Sequence, residues 1–355
     1  MKKSLLALAV LGAFTSVASA QSSVQLFGTL DVNAKLIKND GRDKQFLLGT
    51  DGVNSSEIRL QGIEDLGGGL KAGFNIRSGF NPDTGTTNTA FKFWNRRATV
   101  SLYTNAGELR LGRDYVPTFW NTAIFDAFGY NGIGSTGNVQ RHAQVRQDNM
   151  IGYYLPSNLG GFYGQLNAAS GENGTSIGDT LPTGTYVGGQ FGFRAGPFDV
   201  AVAYSEKKPD LALPAVATVG NAANCSQCKI KTFNVGGSFD FGFMKLMGYY
   251  DEDKLSGGKE KVASISGVFP FGQSEVRVGY DVSEVKRSGL SDSKIDNIKA
   301  TYQYNLSKRT AMYGTVARLN NKDNTIIPLP QGSALQAPNP GGDSKGFEMG
   351  IRHFF

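Results

Sequence analysis

Apolar and polar side chains alternate along most of this 355-residue chain. Within residues 24–35, Leu26 and Leu30 share one face, whereas Gln25 and Asp31 share the other. A period of two over such a length is typical of a β-strand whose two faces meet different surroundings. The same alternation recurs as far as Phe355. It predicts about sixteen strands, with roughly 21 residues for each strand and its connection.

The connections between these strands alternate between short and long. Short turns are expected near residues 66–69, 105–107, 157–161, 196–197, 240–242, 269–273 and 305–308. Longer polar segments are expected at 38–54, 81–90, 172–184, 206–229, 251–260, 284–293 and 320–344. Sorting of loops by length in this way is typical of an outer-membrane β-barrel with short periplasmic turns and long external loops. Because unpaired backbone is costly in lipid, the sheet must close, and we expect the first strand to pair with the last, 345–355.

The composition agrees with an antiparallel all-β barrel. The chain has 47 Gly, 23 Phe and 14 Tyr, and its mean hydropathy is only −0.25. A barrel with a polar lumen and an apolar outer face has such an average, since the hydropathies of the two faces of each strand nearly cancel. Beyond residue 20, no apolar run approaches the roughly 20 residues of a membrane helix.

The N-terminus has the pattern of a secretory signal. Lys2 and Lys3 precede an apolar run, and Ala18-Ser19-Ala20 offers small residues for cleavage. We therefore expect residues 1–20 to be removed and residues 21–355 to form a single barrel domain. Loss of two of the 36 basic residues, against 30 acidic ones, would lower the formal charge from +6 to about +4.

One connection, residues 115–142, is longer than a hairpin needs and rich in aromatic side chains. Such loops are usually functional or disordered. Disorder is disfavoured, because Phe119, Trp120, Phe125, Phe128 and Tyr130 would expose too much apolar surface. We expect this loop to fold into the barrel and narrow it, with the aromatic residues holding it to the wall. A sugar-binding role for these rings is the alternative.

Several short sequences resemble the general porins of Gram-negative bacteria, especially the trimeric porins of β-proteobacteria. They are GIEDLGGGLKA at 62–72, RRATVSL at 96–102, LRLGRDY at 109–115 before Pro117, YNLSKRT at 304–310 and the ending GIRHFF. The resemblance implies a sixteen-stranded barrel, a homotrimer, and a third external loop that constricts the lumen. It also implies that wall arginines face carboxylates on that loop. The terminal Phe355 resembles the signal read by the outer-membrane assembly machinery, and it could also be an aromatic residue at the membrane interface.

The phase of the strands places five arginines on the inner wall near the loop: Arg59, Arg77, Arg97, Arg110 and Arg146. Arg96 has the opposite phase but could reach the rim. Where the resembling family usually carries Arg, this chain has Glu57, so we expect the arginine ladder to shift to Arg59 and Glu57 to pair with a neighbouring arginine. The loop tip is also unusual. Asp126 is its single acidic residue, and Tyr130, Ser135 and Thr136 are its other polar candidates for the constriction.

These charges predict a channel for small hydrophilic solutes that prefers anions, because arginine rings favour anions and carboxylate rings favour cations. A transverse field would run from Arg59, Arg97 and Arg146 to Asp126. Alternatively, Glu57, Glu108, Asp114 and Asp148 neutralise the ladder and leave little preference. A surface adhesin or scaffold anchored by its barrel, or a substrate-specific channel for phosphate or an organic acid, would also fit the long loops.

Other classes of function have little support. With only His142 and His353 present and no metal cluster or phosphate loop, we expect neither an enzyme nor a cofactor or metal. The arginines are spread over strands rather than clustered, which argues against nucleic acid. Cys225 and Cys228 lie in a predicted external segment of a protein that folds in an oxidising compartment, so we expect a disulfide between them. Outer-membrane lipid and lipopolysaccharide are the expected surroundings.

Overall fold

The computed structural model describes residues 23–89, 92–140, 144–171, 184–208, 229–255, 258–287, 292–330 and 335–355. The predicted leader at 1–20, the predicted disulfide between Cys225 and Cys228, and His142 lie outside these ranges. Within the described part, no helix is long and apolar enough to cross a membrane.

Nearly all of the described chain is β-structure. The strands are β1 (Ser23–Asn39), β2 (Lys44–Thr50), β3 (Glu57–Gly67), β4 (Leu70–Asn81), β5 (Thr86–Thr87), β6 (Arg97–Thr104), β7 (Gly107–Tyr115), β8 (Arg146–Tyr154), β9 (Phe162–Ala169), β10 (Tyr186–Ala195), β11 (Phe198–Lys207), β12 (Ile230–Asp240), β13 (Lys245–Leu255), β14 (Gly258–Phe271), β15 (Ser274–Arg287), β16 (Ser293–Asn305), β17 (Thr310–Asn321) and β18 (Ser344–Phe354). The loop after β7 contains helix α1 (Pro117–Ile124) and a 3₁₀ turn at Thr136–Asn138.

The sheet is antiparallel and closed. Strand β1 pairs with β18 along one edge, from Thr29 opposite Phe354 to Asn39 opposite Ser344. Along its other edge, residues 32–38 of β1 pair with β2 and residues 23–29 pair with β3. Strands β2 and β3 therefore count together as one strand of the barrel. Strand β5 is only a two-residue ladder against β4 and is not counted. Counted in this way, the described chain forms a barrel of sixteen strands, and the sequence prediction is confirmed.

The barrel has polar side chains inside and apolar side chains outside. On β1, Asp31, Asn33 and Lys35 are buried towards the lumen, whereas Leu30 and Leu36 are exposed on the outer face. This is the reverse of a water-soluble protein and is expected where lipid covers the outer face. The largest cluster of buried apolar residues includes Phe125 and Ile133, both from the loop that fills part of the lumen.

Some boundaries differ from those predicted from sequence. The segment 38–54 was expected to be a loop, but Lys44–Thr50 forms β2. The predicted long connection at 251–260 is mostly strand, because β13 continues to Leu255 and β14 begins at Gly258. The strand expected after the predicted long segment 81–90 begins only at Arg97. The 251–260 error has a physical cause: Asp251, Asp253 and Glu260 are acidic but point into the polar interior.

Candidate functional site

The loop between β7 and β8 crosses the interior of the barrel. Its helix α1 begins with Pro117, a residue suited to the first helical position because it lacks an N–H. The helix packs against β10, β11 and β12. Asn121 donates to Asn234 Oδ1 at 2.8 Å and accepts from Gln190 Nε2 at 2.8 Å. These buried amide contacts fasten the first half of the loop to the wall.

A buried ion cluster fastens the second half of the loop, and we name it the loop latch: Lys299, Asp281, Asp126 and Thr136. The Lys299 Nζ atom on β16 lies 2.7 Å from Asp281 Oδ2 and 3.7 Å from Asp126 Oδ1. It also donates to Thr136 Oγ1 at 2.9 Å. The side chains of both aspartates and of the lysine are fully buried. The loop is therefore attached to the wall opposite the arginines by charge-assisted hydrogen bonds.

The four loop residues selected from sequence serve mainly in this attachment. Asp126 accepts from the Phe128 and Tyr130 N–H groups, and Thr136 bonds Asp281. Ser135 caps the 3₁₀ turn, and the Tyr130 hydroxyl bonds Thr122, Gln140 and Tyr249. The Asp126 carboxylate is fully buried beside Lys299, which weakens the argument for the predicted transverse field, and that field stays a prediction.

The open lumen lies between the other face of the loop and the wall formed by β3, β4, β6, β7 and β8. Two cavities of about 900 and 740 Å³ occupy it. The residues that line both are Ser55, Arg59, Arg77, Arg96, Tyr115, Trp120, Ala123, Gly129 and Asn131. The two cavities meet at this ring, which therefore marks the candidate constriction.

The structure brings all six sequence-selected arginines to the larger cavity: Arg59, Arg77, Arg96, Arg97, Arg110 and Arg146. Arg59 lies directly opposite Arg77, and Arg77 directly opposite Arg97, on three adjacent barrel strands. Arg96 reaches the lumen because it precedes the regular part of β6 and does not follow the strand phase. Like charges directly across a sheet repel each other, so this wall needs nearby carboxylates.

Carboxylates on the same wall pair with most of these arginines. Glu57 contacts Arg59 at 2.8 Å, Arg77 at a shorter distance and Arg96 at 3.8 Å. The expected pairing of Glu57 with neighbouring arginines is thus present.

The remaining pairs lie further along the wall. Asp114 lies 2.6 Å from both Arg97 and Arg110. Glu108 also pairs with Arg110, at 2.7 Å, and Asp51 lies 3.3 Å from Arg96. Together with Glu57, four carboxylates face six arginines.

Arg146 differs from the other five arginines. Among the described residues it has no carboxylate within ion-pair distance. Its guanidinium carbon lies 4.5 Å from the centroid of the Tyr115 ring, and its Nη2 donates to the Tyr115 hydroxyl at 3.1 Å. Its buried Nε, like those of Arg59 and Arg96, has no hydrogen-bond partner in the described part of the chain. Arg146 is therefore the clearest source of uncompensated positive charge in the larger cavity, next to the constriction ring.

Four residues of this site were not selected from sequence: Tyr115, Asp51, Ser55 and Asn131. The Tyr115 ring lies close to Arg77, Arg97 and Arg146, with separations of 4.5–5.8 Å. Its place as the last residue of β7 could have suggested a position on the inner wall. Ser55 follows the predicted loop 38–54 and has the inward phase of Glu57 and Arg59, whereas Asp51 and Asn131 lie in segments without a sequence period, so no phase assigned their direction.

We expect Gly132→Ala to displace the loop tip and raise the conductance. Gly132 has a φ of 63°, and a Cβ there would lie 2.4 Å from the Gly52 carbonyl oxygen and 2.6 Å from Glu348 Oε1. Gly129→Ala is the matched control: its φ is 58°, but the nearest atom would be 3.5 Å away. Both variants carry similar backbone strain, of about 1 kcal/mol. Single-channel recordings in which the two variants behave alike would contradict this role of Gly132.

A closed barrel with a polar lumen, narrowed by an inward loop, defines the class of channel-forming β-barrel proteins. A sequence model of Gram-negative porins matches residues 7–324. The outer membrane porin protein 32 of Delftia acidovorans is 38% identical over 371 residues, covering all of both chains. The chain therefore belongs to the Gram-negative porin family and forms a channel in the outer membrane.

Solved structures give the same result. The anion-selective porin from Comamonas acidovorans is 34% identical and has a TM-score of 0.81, with 94% of this chain and 100% of that chain covered. A trimer form of OmpT from Vibrio cholerae has a TM-score of 0.66 at 13% identity, covering 94% and 99%. The second comparison supports the fold alone.

Proposed function

We propose that the channel lets small hydrophilic solutes diffuse passively through the outer membrane and favours anions. The observation that carries the preference is the charge balance of the larger cavity beside the constriction ring, where Arg146 adds a cation without a carboxylate partner in the described chain. A structural relative is described as anion-selective, which supports the proposal. The paired charges make the lumen polar without favouring either sign of ion. The unpaired arginine charge makes the lumen favour anions.

Proteoliposome swelling tests the channel itself. We expect vesicles containing the purified protein to swell in isosmotic solutions of small sugars, with rates that fall as the sugar becomes larger. Vesicles prepared without protein are the control. Folded protein that produces no swelling would contradict the channel and favour a barrel that only anchors its external loops.

We further propose that the protein assembles as a homotrimer. A structural relative has a trimer form, and the outer face of this barrel exposes large apolar residues such as Val24, Leu26 and Ile63 on β1 and β3. Native mass spectrometry in mild detergent should give three times the protomer mass. A protomer mass at all detergent concentrations would contradict the trimer.

An anionic lipid is the proposed partner of the external rim. Lys231, Lys254, Lys259 and Lys286 lie directly opposite one another on the adjacent strands β12 to β15. Rows of like charge destabilise a sheet unless counter-charges are near. Glu206, Glu252 and Glu284 pair with Lys231, Lys254 and Lys286, and phosphorylated lipid headgroups such as those of lipopolysaccharide would add further counter-charge to the row. At the other end of the barrel, Phe355 is bonded to Gly28 at 3.0 and 3.1 Å and is partly exposed, as a signal for the assembly machinery would need to be.

A further inference from the structure

A second segment of the chain turns into the lumen, in addition to the long loop. Residues 51–56, which we name the inner segment, separate β2 from β3 within a single barrel strand. Ser55 lines both cavities, and Asp51 lines the larger one. A strand that paired continuously with β1 would leave this space open.

The inner segment is held by one buried carboxylate on β1. Asp31 is fully buried and accepts from the backbone N–H groups of Gly52, Val53 and Asn54, at 3.1, 3.0 and 2.8 Å. The Tyr313 hydroxyl on β17 also donates to it. Three successive N–H groups around one carboxylate form an anion-binding concavity of the kind found in backbone nests. Asp31 thus fixes the direction in which the segment turns.

The first residue of the inner segment links it to the arginine wall. Asp51 has a φ of 61°, a conformation uncommon for residues other than glycine. Its carboxylate accepts from the Ser56 N–H at 2.6 Å and from Thr50 Oγ1 at 2.8 Å, and it lies 3.3 Å from Arg96 Nη2. Strained backbone of this type persists where surrounding contacts determine it. Here those contacts hold Arg96 at the constriction.

The other end of the inner segment touches the loop tip. Ser55 Oγ donates to Asn131 Oδ1 at 2.9 Å. The Gly52 carbonyl lies so close to Gly132 that no side chain fits between them. The inner segment therefore bridges the gap between the loop tip and the arginine wall.

We infer that the inner segment is a second constriction element, and that Asp31 is the positioning residue that holds it in the ion path. The inference rests on the proposed channel function. In this arrangement the free cross-section is bounded on one side by the loop, on a second side by the arginines and on a third side by residues 51–56. Asp31 acts through the segment and need not touch the permeating ion.

Cysteine modification during recording tests the inference. Cys225 and Cys228 are first replaced by serine, and Ser55→Cys is compared with Ser56→Cys in that background. Ser55 lines both cavities, whereas Ser56 is fully buried. A negatively charged methanethiosulfonate reagent should remove at least about half of the current of Ser55→Cys, since the pore narrows there and the added charge opposes anions. The current of Ser56→Cys should not change.

The outcomes separate this inference from the channel function. Conductance of the unreacted protein tests the channel alone. If the unreacted Ser55→Cys protein conducts and the reagent leaves its current unchanged, the inner segment does not bound the ion path and the inference is overturned.

The variant Asp31→Asn tests the positioning role. The asparagine amide would place an N–H₂ group, which only donates, against the backbone N–H groups of the inner segment, which also donate. The inner segment should therefore be held less firmly. The open-channel conductance should rise roughly 1.5-fold, as expected for a wider filter. Asp199→Asn is the control, because Asp199 is also a buried carboxylate but bonds Tyr163 on another part of the wall. Equal conductance in Asp31→Asn, Asp199→Asn and the parent would contradict the role of Asp31.

Discussion

Replacing Arg146 with alanine should remove most of the anion preference while leaving the channel open. Because no described carboxylate neutralises this guanidinium, its charge acts directly on a passing ion. At about 4 Å, two unit charges interact by about 1 kcal/mol in water and about 4 kcal/mol at an effective dielectric constant of 20. Even the smaller value corresponds to about a fivefold fall in the chloride-to-potassium permeability ratio.

This prediction is measured as the zero-current potential of Arg146→Ala across a potassium chloride gradient. The salt concentration should stay near 0.1 M, where the electrostatic screening length is about 10 Å. In molar salt the screening length is only about 3 Å. Arg146→Lys keeps the charge and should retain the parent potential. Arg194→Ala is a remote control, since Arg194 is well exposed and paired with Asp199. A parent-like potential in Arg146→Ala would show that the paired arginines, and not Arg146, set the preference.

Replacing Lys299 with methionine should release the constriction loop. The change leaves the carboxylates of Asp281 and Asp126 buried without their cation. Breaking a buried ion pair by removing one partner costs about 3–5 kcal/mol. The sheet of the barrel does not depend on this contact, so the cost should appear as loop detachment. We expect a higher and noisier single-channel conductance and a larger sugar cut-off in vesicle swelling.

Two further variants make the result specific. Lys294→Met alters an exposed lysine on the same strand, β16, and should behave like the parent. Lys299→Met combined with Asp281→Asn removes one uncompensated buried charge and should restore part of the parent conductance. If Lys299→Met alone conducts like the parent, then the helix contacts of Asn121 and the Tyr130 hydroxyl bonds are sufficient to hold the loop.

The barrel and its arginine wall could be predicted because a strand has only two faces. Once one residue of a strand is assigned to the lumen, the period of two assigns the direction of the others. The neighbouring apolar residues face outward, so the same period places four arginines in the lumen: Arg59, Arg77, Arg97 and Arg110. Sixteen strands follow from the same regularity. Glu57 could be assigned as a partner for the arginines because it shares their face.

The loop contacts could not be predicted, since residues 115–142 have no period that fixes a side-chain direction. Asp126 was therefore taken as a lumen charge, although it binds Lys299, which is more than 170 residues away in sequence. The inner segment was missed because Asp51-Gly52 has the pattern of a turn in an external loop. Its inward course depends on Asp31 and Tyr313, and no local pattern connects those residues with it.

Whether uncompensated arginine charge governs permeation is decided by the zero-current potential of the unmodified protein in a planar bilayer with a tenfold potassium chloride gradient. We predict a conducting channel whose potential has the sign of chloride preference. A potential of the opposite sign, or one near zero in a well-conducting channel, would contradict the claim that uncompensated arginine charge governs permeation.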